Sequence, residues 1–212
     1  MSACVYCHHD RGRRSCPVLG GLISTTCCGR HRGVEIACPS QCRYFKEHEE
    51  YQRARLSLGF HEAWLKATAQ IYDKHQSELL NWIIFFEISI YEYFHRNTRG
   101  TDEDLIEAFS FVKHKLSPLE IIETVGSELE RHLWASTQAY LKSHPELDEN
   151  LAKAGIEVFE ALIRMLKGPA EPRQALHGLL GHIETYIGVP EEIAKASKES
   201  PVETPKIILP GR

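Results

Sequence analysis

The chain has 212 residues, of which 42% are hydrophobic and 25% charged, a balance that suits a globular protein and excludes a disordered or fibrous one. A net charge of −4 at pH 7 excludes a strong overall pull toward nucleic acid or an anionic membrane. The charge is uneven: residues 1–45 hold Arg11, Arg13, Arg14, Arg30, Arg32 and Arg43 against Asp10 and Glu35, a local +4 that leaves −8 for the remainder.

No continuous apolar stretch opens the chain, so no signal peptide is expected and the expected location is cytoplasmic. All seven cysteines, Cys4, Cys7, Cys16, Cys27, Cys28, Cys38 and Cys42, fall in the first 42 residues. In a reducing compartment such clustering points to metal before disulfides. Cys4 and Cys7 form a C-x2-C pair, and Cys38 and Cys42 a C-x3-C pair in CPSQC. Between them, CCGRH sets Cys28 and His31 two residues apart, with Gly29 available for a positive φ.

Zinc takes four thiolate or imidazole ligands at tetrahedral angles. No short segment here supplies four, so two distant pairs are expected to close the site: Cys4, Cys7, Cys38 and Cys42. Cys28, with Cys16, Cys27 or His31, is expected to replace a member of that set or to hold a second ion. Zinc is the expected cofactor. An iron–sulfur cluster is the alternative, because Cys4, Cys7 and Cys16-Pro17 loosely resemble a ferredoxin run. The Cys27–Cys28 doublet also admits free or redox-active thiols without metal.

LISTTCC-GRHRG-VEIAC alternates loosely around a glycine-bounded turn and reads as a β-hairpin. In CPSQCRYF, Pro39 suits the first position of a helix and Ser40 a cap, placing Cys38 just before the first turn and Cys42 inside it. There the helix dipole stabilises thiolates. A knuckle, a hairpin and a helix start sharing one ion would resemble a zinc-ribbon or treble-clef module, which implies a small metal-nucleated unit over residues 1–45.

Residues 46–195 carry helical periodicity. A helix is expected from the metal site to about Gly59. FHEAWLKATAQIYDKHQSELLNWIIFFEISIYEYFHRN then reads as one helix, or as two broken near Lys74–Ser77. Its run Leu79–Phe94 is 16 residues long and contains Glu87 and Glu92. A membrane span needs roughly 20 mostly apolar residues, so a core helix is expected and no span. Thr101 caps a helix with acids in its first turn and an apolar stripe of Leu105, Ile106, Phe109, Val112 and Leu116. Ser117-Pro118-Leu119-Glu120 reads as a capping box for a helix carrying Ile122, Val125, Leu129, Leu133 and Tyr140. Asp148 caps the next, which Gly168-Pro169 stops, and Pro172 opens the last, which Gly188 ends. A short turn at Pro190–Lys195 precedes a Pro-rich tail, residues 196–212, whose Ile207–Leu209 form a small apolar handle.

The expected fold is therefore mainly α: a bundle or array of five to seven helices behind a metal module containing a short β-hairpin. The sequence has no phosphate-binding glycine loop, nucleophile elbow or zinc-protease helix. Glu92 and His95 have the Glu-x-x-His spacing of di-metal carboxylate bundles, with Glu87, Glu128 and His132 as the nearest further ligands, but the second such motif is missing. The aromatic set Trp64, Trp82, Phe85, Phe86, Tyr91 and Phe94 reads as core. The expected function is a non-enzymatic zinc-binding protein whose helical surface serves as an interaction or regulatory platform for a protein partner. The alternatives are a nucleic-acid-binding regulator using the basic head, an iron–sulfur or redox protein, and a di-metal enzyme.

Overall fold

The helix that leaves the cysteine-rich segment does not stop at Gly59. In the computed structural model, which describes residues 2–73, 76–117, 125–169 and 171–189, α2 runs without a break over Arg43–Asp73. An interior glycine costs about 1 kcal/mol of helix propensity, and packing outweighs that cost here. Phe60 and Trp64, just beyond Gly59, are buried in the main core. The expected break near Lys74–Ser77 is present, because α3 spans Ser77–Arg96. The helix begins at Arg43 and not at Pro39: Pro39 to Cys42 form a turn in which the Cys42 N–H donates to the Pro39 carbonyl at 2.9 Å.

The remaining helices are α1 (Thr25–His31), α4 (Asp102–Lys115), α5 (Glu128–Ser143), α6 (Glu149–Leu166) and α7 (Gln174–His182), the last continued by a π-helical turn, Ile183–Ile187, that ends at Gly188 with φ +92. Thr101 caps α4 as expected and forms a capping box with Asp104, and Asp148 caps α6. Ser127 and Glu130 form the box that starts α5. The Ser117–Glu120 box falls largely on residues 118–124, outside the described residues, as do Pro190–Lys195 and the tail. Val125, expected on the apolar stripe, is 94% exposed ahead of α5.

One two-stranded antiparallel sheet is present among the described residues, and it lies upstream of the expected hairpin. β1 (Arg14–Cys16) pairs with β2 (Gly21–Ile23), with Cys16 opposite Gly21. The loop Pro17–Gly20 closes it, and Gly20 takes φ +64. LISTTCCGRH instead contributes the end of β2 and then α1, because the Ser24 hydroxyl accepts from the Cys27 N–H at 3.0 Å and starts a helix where alternation suggested a strand. Gly29 lies inside α1, and the positive φ is at Gly33, +67.

Buried apolar residues form two clusters. The larger joins α2 to α7 around Trp82, Phe86, Phe109 and Phe159, whose rings meet edge-on or stacked. The smaller contains Cys4, Cys16, Cys27, Cys28 and Cys38 with Ile23, Ile36 and Phe45. In the larger cluster α3 and α4 each pack on both α5 and α6, and α7 lies along α2. Among the described residues no helix is long and apolar enough to cross a membrane.

The α2–α7 contact is close because α7 offers glycines. A Cβ on Gly181 would stand 2.3 Å from the Arg53 carbonyl oxygen, and one on Gly178 would stand 3.1 Å from the Phe60 Cβ. Gly181→Ala is therefore expected to push the helices apart and to lower stability by about 2–3 kcal/mol. Gly59→Ala, at a position with no atom within 4 Å of the new methyl, is expected to stabilise by about 0.4–1 kcal/mol. Urea denaturation of the two variants checks both signs.

Candidate metal centre

Three of the seven sulfurs meet. Those of Cys4, Cys7 and Cys27 all lie within 4.8 Å of one another. Thiolates on a tetrahedral zinc at about 2.3 Å stand roughly 3.8 Å apart, so this spacing is within reach of one ion. The set differs from the expected Cys4, Cys7, Cys38 and Cys42. Cys27 takes a place beside the first pair, whereas Cys38 and Cys42 lie outside the group, in the same small core as Cys16 and Cys28. The reason is the helix at Thr25–His31, which carries Cys27 toward the loop that holds Cys4 and Cys7.

That loop is built around sulfur. The Ser24 N–H donates to the Cys4 Sγ at 3.2 Å and the Asp10 N–H to the Cys7 Sγ at 3.5 Å. The chain folds back through His8, whose φ is +60, and closes where the Cys4 N–H meets the Asp10 carbonyl at 2.8 Å. Burial alone would raise the Cys4 thiol, but the backbone groups of Cys7, Ser24 and Tyr6 outweigh it and bring it down to about 6. Ser24 pulls the Cys27 thiol down in turn, yet burial and the Cys7 and Cys4 sulfurs hold it above its ordinary value. Thiolates held this close together repel one another, and a bound cation removes that cost.

His31 lies one helical turn beyond Cys27, on the same face of α1. It stacks on Tyr6, with ring centroids 4.4 Å apart, and its Nδ1 pairs with Glu35 at 3.0 Å. Tyr6 also donates to Glu35. The Nδ1 contact leaves Nε2 for other partners. Sequence reading missed Tyr6, Ser24 and Glu35. The His31–Glu35 spacing of four residues within a short segment was the available signal.

Three of the six arginines of the head have partners within the chain. Arg14 lies over the Tyr44 ring at 4.6 Å and donates to the Cys28 Sγ at 3.5 Å. Arg32 donates to the Tyr44 carbonyl at 3.0 Å, and Arg43 pairs with Glu47 at 2.7 Å. Arg11, Arg13 and Arg30 are exposed.

The loop between α3 and α4 ties the cysteine-rich segment to the body through three hydrogen bonds. Thr98 donates to the Cys38 carbonyl, Arg99 to the Val34 carbonyl at 3.0 Å, and the Gly100 N–H to the Gly33 carbonyl at 3.3 Å. Arg173 lies against Gly33, where any Cβ would overlap its guanidinium, and over Phe45 at 5.7 Å.

Beneath this junction is a buried ionic cluster that sequence reading missed. Glu49 meets Arg173 through both oxygens at 3.2 Å, the His177 Nε2 at 2.9 Å and Arg53 at 3.7 Å. The ligand atoms of His48, Glu49 and His177 also lie within 4.8 Å of one another. Arg173 already supplies the positive charge there, so we read the cluster as a buried ion pair. Burial alone would raise Glu49, but His177, Arg173 and Arg53 bring it down to about 2. Asp102, expected only to complement the dipole of its own helix, caps α7 instead, accepting from the Ala175 and Leu176 N–H groups at 3.0 and 2.8 Å.

His48 gives this cluster a measurable pH dependence. Burial, with Arg32, His177 and Arg173 nearby, lowers it from 6.5 to about 4. The unfolded chain therefore binds this proton first, and the contribution of neutral His48 is complete above about pH 6.5 and lost as the pH falls toward 4. His48→Gln is expected to flatten this part of the stability profile relative to the parent protein, as read by urea denaturation between pH 7 and 4. An unchanged slope would show that His48 is not buried neutral.

The di-metal arrangement does not assemble among the described residues. Glu87 is fully buried beside His182, Oε1 to Nε2 3.3 Å. His132 is bonded to the Ser89 carbonyl at 2.9 Å, and His95 stacks on Tyr91. No protein-family model, curated protein or solved structure matches this chain.

Proposed function

We propose that the chain is a non-enzymatic zinc-binding protein: a structural metal module seated on a helical body that serves as an interaction platform. The observation that carries this reading is the convergence of the Cys4, Cys7 and Cys27 sulfurs, with backbone N–H groups directed at two of them. His31 is the fourth ligand in this reading. A ligating imidazole commonly binds metal through one nitrogen while a carboxylate orients the other, and Glu35 stands in that position at Nδ1. A module whose own core holds only a few apolar residues gains its stability from the ion.

The metal module adds an exposed apolar patch to that platform through its hairpin. Val18, Leu19 and Leu22 are 46%, 37% and 36% exposed at its loop and second strand, and exposed Arg11 and Arg13 precede it. This surface suits a protein partner with an apolar patch inside an acidic rim. Arg14, Arg32 and Arg43 have internal partners, which weighs against a phosphate-binding head.

Elemental analysis of protein purified from cells tests the metal reading, with stoichiometric zinc expected. Iron with inorganic sulfide, or no metal, would overturn it. Random-sequence DNA and RNA at low salt test the rival: binding that weakens steeply with added salt would replace the platform with a nucleic-acid regulator.

A further inference from the structure

Adjacent cysteines in a helix are an unusual way to serve one ion. Successive α-helical residues point about 100° apart, so the Cys27 and Cys28 side chains leave α1 in different directions. Cys27 joins Cys4 and Cys7. Cys28 is outside that group and shares the small core of the head with Cys16, Cys38 and Cys42. Cys16, Cys28 and Cys38 are only 8%, 8% and 6% exposed, and Cys42 packs against the same small core.

We propose that Cys16, Cys28, Cys38 and Cys42 bind a second zinc ion, an inference that rests on the first centre being a zinc site. The four residues come from the end of β1, the middle of α1 and the turn that opens α2. With His31 at the first centre, the seven thiols and one imidazole complete two tetrahedral sites with none left over. The ligands interleave along the chain, because Cys16 and Cys28 of the second centre flank Cys27 of the first. Neither ion can then leave without loosening the segment that holds the other.

The surroundings suit thiolates. Arg14 donates to the Cys28 sulfur at 3.5 Å. Cys42 immediately precedes α2, where the unpaired N–H groups of a 31-residue helix place positive potential. Among the described residues, no three of these four sulfurs come as close together as those of Cys4, Cys7 and Cys27. Binding the ion would draw β1, α1 and the start of α2 together. Because α2 also runs through the main core, the second ion would connect the module rigidly to the helical body.

The test counts zinc in full-length protein purified from cells, by elemental analysis, for the parent, Cys27→Ser and the double variant Cys16→Ser/Cys28→Ser. Two ions are expected in the parent and one in each variant. If the double variant fails to fold, alkylation of the native parent followed by peptide mass analysis decides instead, with all seven thiols expected to react slowly until a chelator is added. A parent with one zinc, lost in Cys27→Ser and kept in the double variant, would overturn the second centre and leave the first standing. Rapid alkylation of Cys16, Cys28, Cys38 and Cys42 alone would do the same. A parent with no zinc would overturn both centres.

Discussion

Arg173→Ala is expected to lower the unfolding free energy by about 3–5 kcal/mol, the cost of removing one partner from a buried ion pair. Arg173 and Glu49 are 3% and 5% exposed, and their two contacts measure 3.2 Å. Without the guanidinium, Glu49 keeps only His177 and the more distant Arg53. The variant also removes the side chain that lies between Gly33 and Phe45, loosening the module on its seat. The pair itself contributes much less than this loss, since two charges must be desolvated to form it. Arg173→Met combined with Glu49→Leu is therefore expected to be more stable than Arg173→Ala alone. Urea denaturation of the three proteins at pH 7 with zinc present decides the matter. A loss below about 1 kcal/mol in the single variant would show the carboxylate to be solvated.

The parts of the fold legible in the sequence are those fixed within a few residues. Thr101 with Asp104, and Asp148 with the Asn150 N–H, close their hydrogen bonds locally, so the starts of α4 and α6 follow from the chain alone. The stripe Leu105, Ile106, Phe109 and Val112 is buried as its spacing requires. Gly59 read as a stop because propensity is local, whereas the packing of α7 on α2 is not. The hairpin was displaced for a related reason: Ser24 captures the Cys27 N–H three residues on, and loose alternation carries no term for a cap. The thiols pointed to a metal module but not to a grouping of ligands. Which sulfurs meet depends on the rotation of α1, and spacing counts cannot supply that angle. Glu49, Arg173 and Asp102 gave no signal, since their partners lie 124 and 73 residues away.

Chelation is expected to dismantle the head and spare the body. The two clusters of buried residues are separate, and the smaller consists largely of cysteine side chains. Apparent zinc-binding free energies in small metal-nucleated folds are about 10–16 kcal/mol near pH 7, and in such folds that energy is the folding energy. Metal removal should therefore expose residues 2–42 to protease while most of the far-ultraviolet helical signal persists, because α2 to α7 bury their own apolar core. Cleavage is expected first at Arg11, Arg13 and Arg30, the exposed arginines of the head, and only later within the helices. Cys27→Ser should reproduce only part of the chelated pattern without chelator, loosening the loop that holds Cys4 and Cys7, whereas Gly181→Ala should leave the head protected and weaken the body. Equal protease resistance of residues 2–42 before and after complete metal removal would mean that the thiols are held by packing alone, and the ion would then have no part in folding this segment.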